Sequence, residues 1–500
     1  MKIRKYDALV MLSWAALVVM LSWIFAGKSA DDFFITYRYA WNLSHGNGFV
    51  FNPGERVFGL TNPGLGLLLA ALTIITNVPI HILGTALFGA GLWGLVTLLL
   101  LSERDVAGRI RTAVGGTLVV GSTFIWINNG SEAVIVLLLL GLSERASTSH
   151  PLVAGILAGI AVWFRPDALL GLILLLCFVW VRQRRLPFRL LAAATSTVIL
   201  GMVLAWFYWG ALLPATLEAK RMMAESRAES WSGPVRFWQR SGRILLRHWG
   251  SGLPLVVSLG LAGQWPLISR SGNALRLVCL FGIASAVAYP VLGVPFFPWY
   301  AIPAVIALFY GLAALCVELA LVVGKWCLAS GYSRARIPLM VGTMVLMLLG
   351  PVGLVLETGL PWLARFKGYG RYETYKKAAE WVKEHSGAKD RLAYGEIGVL
   401  AYFSERPMDD LMGLTTPRSL PFVLAGDGEG AFLAAPPEYF FEHPEGPHRG
   451  LVNRKWFLEA YEPVAVVPPA PGDGSSMKIF RRREGARLPD PRPPRRQSPR

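Results

Sequence analysis

Charge is what this 500-residue sequence has least of. Asp, Glu, Lys and Arg make up 16% of it and apolar residues 54%, against roughly 25% charged in soluble domains. The apolar residues are not spread at surface-helix spacing. They gather into runs of about 18 or more, the length of a membrane-spanning helix, which excludes a single water-soluble core. Cysteine is scarce as well. Cys177, Cys279, Cys316 and Cys327 lie in or beside apolar segments without metal-ligand spacing, so they read as small buried hydrophobes. His45, His81 and His248 show no ligand spacing either and read as surface or interfacial groups. No internal repeat is found, so an inverted-repeat transporter gains no support.

The net charge of +17 sits where membrane topology explains it, and nucleic-acid binding is set aside. Arg104, Arg109 and Arg111; Arg182, Arg184, Arg185 and Arg189; Arg270 and Arg276; and Lys325, Arg334 and Arg336 occupy short loops between apolar runs, the positive-inside pattern. Lys2, Arg4 and Lys5 precede an uncharged run from Ala8 to Gly27, read as an uncleaved anchor with its N-terminus inside. A long external loop follows over 28–78. Later spans are expected near 80–101, 112–127, 130–143, 151–165, 167–181, 189–209, 251–267, 275–291, 301–323 and 338–357, giving about eleven helices. The expected fold is thus an all-α polytopic membrane domain over 1–360, followed by a small C-terminal α/β domain over 361–481 on the external side. The Arg- and Pro-rich residues 482–500 read as a disordered tail. Within the α/β domain, 371–386 has helical apolar spacing, and strands are expected at 391–399, 407–411, 438–442, 463–467 and 477–481.

The first external loop is rich in chemistry. Asp31-Asp32-Phe33-Phe34 is followed by Arg38-Tyr39-Ala40, His45-Gly46-Asn47-Gly48, Phe51-Asn52-Pro53-Gly54-Glu55-Arg56 and Thr61-Asn62-Pro63. Two adjacent carboxylates repel, which raises the proton affinity of one and suits it to act as a base near neutrality. They are equally suited to an oxygen-ligated divalent cation, or to a solvated acidic turn with no chemistry. Glu132 is costly inside a span and is expected to be functional or paired. Arg165 with Asp167 reads as a structural ion pair at a helix junction. Lys220 reads as a snorkelling interfacial lysine. Trp299 and Tyr300 fit a pocket wall or an interfacial aromatic belt. The basic, aromatic stretch over 218–248 is expected to lie along the membrane surface.

The string from Asp31 to about Leu69 resembles the N-terminal signature of polytopic glycosyltransferases of the GT-C fold, in the branch of the terminal arabinofuranosyltransferases. Gly130-Ser131-Glu132, Arg165-Pro166-Asp167, Leu213-Pro214-Ala215-Thr216 with Ala219-Lys220, Pro298-Trp299-Tyr300 and Glu396-Ile397-Gly398 through Asp410-Leu411-Met412-Gly413-Leu414 are similar to further motifs of that branch. Ala133 and Ala215 depart from its usual threonine and asparagine. The resemblance implies transfer of a sugar from a polyprenyl-phosphate donor to a cell-envelope glycan, lipid or protein acceptor, at the external face of a bacterial plasma membrane. It implies Asp31 or Asp32 as the base. Arg38, Arg165, Lys220 and Tyr300 would attend the donor phosphate, and Glu55, Asn62, Glu132, Asp167 and Trp299 the acceptor or pocket. The cofactor is left unknown, with a divalent cation on Asp31, Asp32 and Glu55 as one option. A polymerase or ligase using a diphosphate-linked donor, a lipid or glycan transporter, and a non-catalytic glycan-binding subunit are the competing readings.

Overall fold

The computed structural model describes residues 4–217, 219, 234–294, 296–365, 371–444, 446, 448, 450–470 and 474–491. Most of the apolar runs become helices: α1 Lys5–Phe25, α2 Asp31–Ser44, α3 Pro63–Thr76, α4 Ile80–Ser102, α5 Val106–Gly121, α6 Thr123–Trp126, α7 Ala133–Ala146, α8 Pro151–Phe164, α9 Ala168–Gln183 and α10 Phe188–Trp209. Pro234–Trp249, Leu253–Ala262, Gln264–Arg270, Asn273–Val291, Ile302–Ala329 and Arg336–Arg365 follow. Among the described residues six helices are long and apolar enough to cross a membrane, with Val235–Arg270 taken as one. Several expected spans correspond to shorter helices. A helix of 14 residues such as α7 or α8 is roughly 21 Å long, less than the roughly 30 Å of a bilayer core. The expected span near 112–127 is broken at Ser122 between α5 and α6.

The chain forms two compact units, each discontinuous in sequence. The first holds Met1–Phe25, Ala86–Ile199 and Trp231–Arg365; the second holds Ala26–Thr85, Leu200–Ser230 and Phe366–Arg500. The expected external loop over 28–78 therefore belongs to the second unit, with the C-terminal residues.

In the first unit, small residues let helices approach closely, as membrane helices commonly do. A Cβ at Gly263 would lie 1.7 Å from the Gly311 carbonyl oxygen, and one at Gly311 would lie 2.1 Å from that of Gly260. At one end of this unit the basic loops are held by acids. Arg109 pairs with the buried Asp7, and Arg111 bonds Ser271 at 2.6 Å and faces Glu318 at 3.7 Å. Glu318 also pairs with Arg270, while the Glu103 carboxylate accepts from Gly272 N–H at 2.9 Å. Cys279, Cys316 and Cys327 are buried in this unit and Cys177 is exposed.

The second unit contains a five-stranded sheet in the order β2-β1-β3-β5-β4: β1 Leu392–Tyr394, β2 Met408–Asp410, β3 Tyr439–Glu442, β4 Tyr461–Val467 and β5 Met477–Arg482. β1 runs parallel to β2 and β3, whereas β5 pairs antiparallel with β3 and β4. The helix Tyr372–His385 matches the apolar spacing of 371–386. The expected strand over 391–399 is shorter: it stops at Tyr394, and a helix Gly398–Ser404 begins beyond the turn. β5 takes in Arg482, whose guanidinium bonds Glu438 at 2.7 Å; residues 492–500 of the expected tail lie outside the described residues.

The glycine contacts generate a first prediction. Gly263→Val should destabilise the protein by about 1–3 kcal/mol or more through overpacking. Gly242→Ala, in a helix with nothing within 4 Å of its added methyl, should not. Apparent Tm values of the two variants in one detergent check the contrast.

Candidate active site

Asp31 opens α2, where the helix dipole favours negative charge. Its carboxylate is half-buried, and both oxygens accept backbone hydrogen bonds: one from Gly398 N–H at 3.0 Å and the other from Val399 N–H at 2.8 Å. The approach needs glycine, since a Cβ at Gly398 would lie 1.9 Å from the Asp31 carbonyl oxygen. Behind this contact Phe34 packs among Tyr37, Tyr372, Tyr402 and Phe403, with ring centroids 5.0 to 5.7 Å away. Burial, then the nearby Glu396 carboxylate and Asp32, raise the Asp31 pKa to about 7, and the two N–H groups oppose the rise. The folded state thus binds a proton that the unfolded chain releases near the ordinary aspartate value of 3.8. The linked stability is fully present below that pH and is lost as pH rises through about 7. Asp32 stands beside it, half-buried in the same helical turn.

The other loop residues turn inward as supports. The Asn52 amide accepts from Met408 N–H at 2.9 Å and donates to the Met408 carbonyl at 3.0 Å, docking the loop onto β2. Glu55 bonds Arg391 at 2.8 Å, and Arg391 bonds Asp409 at 2.6 Å. Asn62 accepts from the Thr36 hydroxyl at 2.7 Å. Ala215 N–H donates to the Phe58 carbonyl at 2.8 Å, and the Thr216 hydroxyl donates to Gly59. Arg38 is fully buried. Its guanidinium carbon lies 4.9 Å from the Trp41 ring centroid, and Nη2 donates to the Arg406 carbonyl at 3.4 Å. Burial lowers the Arg38 pKa to about 10, leaving the group cationic at neutral pH. Asp410 takes N–H bonds from Met412 at 2.7 Å and Thr415 at 2.9 Å, fixing the Asp-Leu-Met-Gly-Leu turn.

The first unit carries a separate polar cluster. Arg165, just past α8, bonds Asp167 at 3.0 Å, Glu132 at 3.1 Å and the Tyr289 hydroxyl at 2.8 Å, and Tyr289 in turn donates to Asp167. Tyr300 stacks on Tyr289 at 4.6 Å, with the Arg165 guanidinium 5.2 Å from its ring centroid. The buried Trp299 stacks on Phe297 at 4.8 Å. Glu132, expected within a span, stands at the N-cap of α7. The Arg165 guanidinium is thus shared between two carboxylates and a phenol.

Lys220 and most of 218–233 lie outside the described residues; of the basic amphipathic stretch, the helix Pro234–Trp249 is described, with Phe237 buried and Trp238 exposed. Among the described residues no group of three His, Cys, Asp or Glu is placed to hold a metal ion. The Asp31 oxygens and those of Glu55 each accept a hydrogen bond from the protein.

Sequence reasoning missed Tyr289, whose hydroxyl completes the Arg165 cluster from within an apolar span. Its place beside Pro290, a polar handle in an otherwise apolar helix, was the one signal available. It also missed Arg371 and Tyr375, which grip Glu396.

Removing the cation from the Arg165 cluster leaves the buried Glu132 and the half-buried Asp167 without it. Arg165→Leu should therefore cost about 3–5 kcal/mol, and Tyr289→Phe less, by about 1–2 kcal/mol; thermal unfolding in detergent checks the order.

No curated protein sequence matches the chain. Residues 365–481 match DUF8728, a domain of unknown function. Solved structures match across most of the length. The archaeal oligosaccharyltransferase AglB from Archaeoglobus fulgidus, in complex with an inhibitory peptide and a dolichol-phosphate, superposes with a TM-score of 0.57 at 12% identity, over 87% of this chain and 69% of that one. ArnT from Cupriavidus metallidurans, bound to undecaprenyl phosphate, superposes with a TM-score of 0.57 at 13% identity, over 96% of this chain and 99% of that one. At these identities the likeness is one of fold: the chain has the GT-C architecture of a multi-pass membrane protein with a small C-terminal sheet domain.

Proposed function

We propose that the chain is a membrane glycosyltransferase that moves a sugar from a polyprenyl-phosphate donor to a cell-envelope glycan, lipid or protein acceptor, with Asp31 as general base. The observation that carries this reading is the seat of Asp31, a carboxylate fixed by two N–H groups and tuned close to neutrality, in a fold shared with proteins solved around dolichol-phosphate and undecaprenyl phosphate. A base works best with a pKa near the working pH. In the proposed step the acceptor hydroxyl oxygen attacks the anomeric carbon and its proton passes to the Asp31 carboxylate. The bond from that carbon to the phosphate oxygen breaks, and the polyprenyl phosphate leaves with the electron pair.

The remaining assignments follow from the partners each residue has. Glu55, Asn62, Glu132 and Asp167 act as supports that hold the loop and the Arg165 cluster in place, and Arg165 is taken by its carboxylates. Lys220 is our candidate for the donor phosphate, following a Leu-Pro-Ala-Thr string anchored to Phe58 and Gly59, with Arg38 a second cation nearby in sequence to the base. Trp299 and Tyr300 offer flat faces for a sugar ring. The finer parts of the reading are a place near the terminal arabinofuranosyltransferase branch and a bacterial plasma membrane with the C-terminal domain outside. They rest on the motif string from Asp31 to Asn62 and on the basic loops.

Purified protein, a polyprenyl-phosphate sugar and a glycan acceptor test the proposal. Asp31→Asn should lower transfer by about 10²–10⁴-fold, and wild-type kcat/KM should rise with pH through about 7 as Asp31 loses its proton. Full transfer in both Asp31→Asn and Asp32→Asn would remove the mechanism; loss in Asp32→Asn alone would move the base to Asp32. Turnover of a diphosphate-linked donor in place of the monophosphate would favour the polymerase or ligase reading.

A further inference from the structure

The C-terminal domain has no role in the step just proposed, yet it makes the closest contacts to the reacting carboxylate. The turn after β1 brings Gly398 and Val399 N–H onto the two Asp31 oxygens, at an approach that no Cβ would permit at Gly398. Glu396, in the same turn, is held in place by two neighbours. One of its oxygens takes the Arg371 guanidinium at 2.7 Å, and the other takes the Tyr375 hydroxyl. Resting on the proposed general-base reading, we infer that the Glu396–Val399 turn is the positioning element of Asp31: its Gly398 and Val399 N–H groups orient the carboxylate, and Glu396 in the same turn is fixed by Arg371 and Tyr375. This assigns a function to part of the residues that match the domain of unknown function.

The electrostatics around Asp31 follow from the elements packed there. On α2 itself Asp32 is adjacent. From the turn Glu396 adds a second repelling carboxylate, with Tyr394 behind it. The helix Tyr372–His385 meets Glu396 through Tyr375, and Arg371 sits just before that helix. The helix Gly398–Ser404 contributes its two N–H groups, while its Tyr402 turns to His81 at 3.2 Å. Glu396 disfavours the charged form of Asp31, Arg371 partly offsets Glu396, and the N–H pair favours the charged form. Deleting each therefore moves the Asp31 titration in a known direction.

The test uses full-length protein in detergent and needs no donor. A hydrophobic carbodiimide modifies carboxyl groups in their protonated form, and mass spectrometry of the Asp31 peptide gives the pH of half-labelling. In the wild type that midpoint should fall near 7. Glu396→Gln should lower it by roughly half a unit to one unit, Arg371→Gln should raise it, and Gly398→Ala should raise it by losing the N–H pair. Thermal unfolding of each variant in the same detergent keeps loss of fold apart from a shifted titration. In the transfer assay Gly398→Ala should lower kcat by about 10²-fold from misplacement of the base, with donor KM little changed. A midpoint unmoved by Glu396→Gln and Arg371→Gln overturns the inference. Shifted midpoints in a protein that transfers no sugar leave the inference standing and sink the glycosyltransferase reading instead.

Discussion

Two backbone N–H groups meeting one carboxylate hold the second unit together at its most consequential point. Gly398 and Val399 reach Asp31 across a sequence separation of 367 and 368 residues. Around that contact lie α2, the turn beyond β1 and the aromatic cluster around Phe34. The same contact explains why Asp31 is not an ordinary acid. Desolvation and a neighbouring carboxylate push it toward the protonated form, and the N–H pair keeps it from being carried further. A carboxylate in that balance is conformationally fixed and chemically responsive at once.

Around this centre most charged groups are spent on architecture. Glu55, Arg391 and Asp409 form one chain of ion pairs, and Asp410 straps its own turn. In the other unit Arg165 is divided between Glu132, Asp167 and Tyr289. Buried charges are tolerated when each is paired and hydrogen-bonded; Arg165 and Asp409 obey that rule, whereas among the described residues the buried Arg38 bonds only the Arg406 carbonyl and faces the Trp41 ring. The Arg165 guanidinium, paired with both carboxylates, lies 5.2 Å from the Tyr300 ring centroid.

Much of the fold was legible because its signals are local. Uncharged runs marked the long helices, and alternating residues between Gly, Pro and acidic turns marked the strands at 439–442, 461–467 and 477–482. The strand expected over 391–399 ended early because Gly398 and Val399 N–H are committed to Asp31, a partner no local pattern announces. Apolarity alone does not set length, and several expected spans correspond to helices of 14 to 16 residues. At the site, Asp31 stood out by its motif string. The partners of Arg165 did not: Glu132 and Tyr289 are 33 and 124 residues away in sequence, and spacing carries no information about such pairs.

The docking of Asn52 on β2 has a further effect. Its amide occupies both the donor and the acceptor of Met408 on the outer side of the sheet, the pair that an incoming strand would need. An uncovered sheet edge is a template for intermolecular strand addition. The opposite edge, β4, carries Pro463 and an irregular register between Pro463 and Ala465, which also discourages a neighbour. A single asparagine side chain thus guards this sheet edge against intermolecular strand addition.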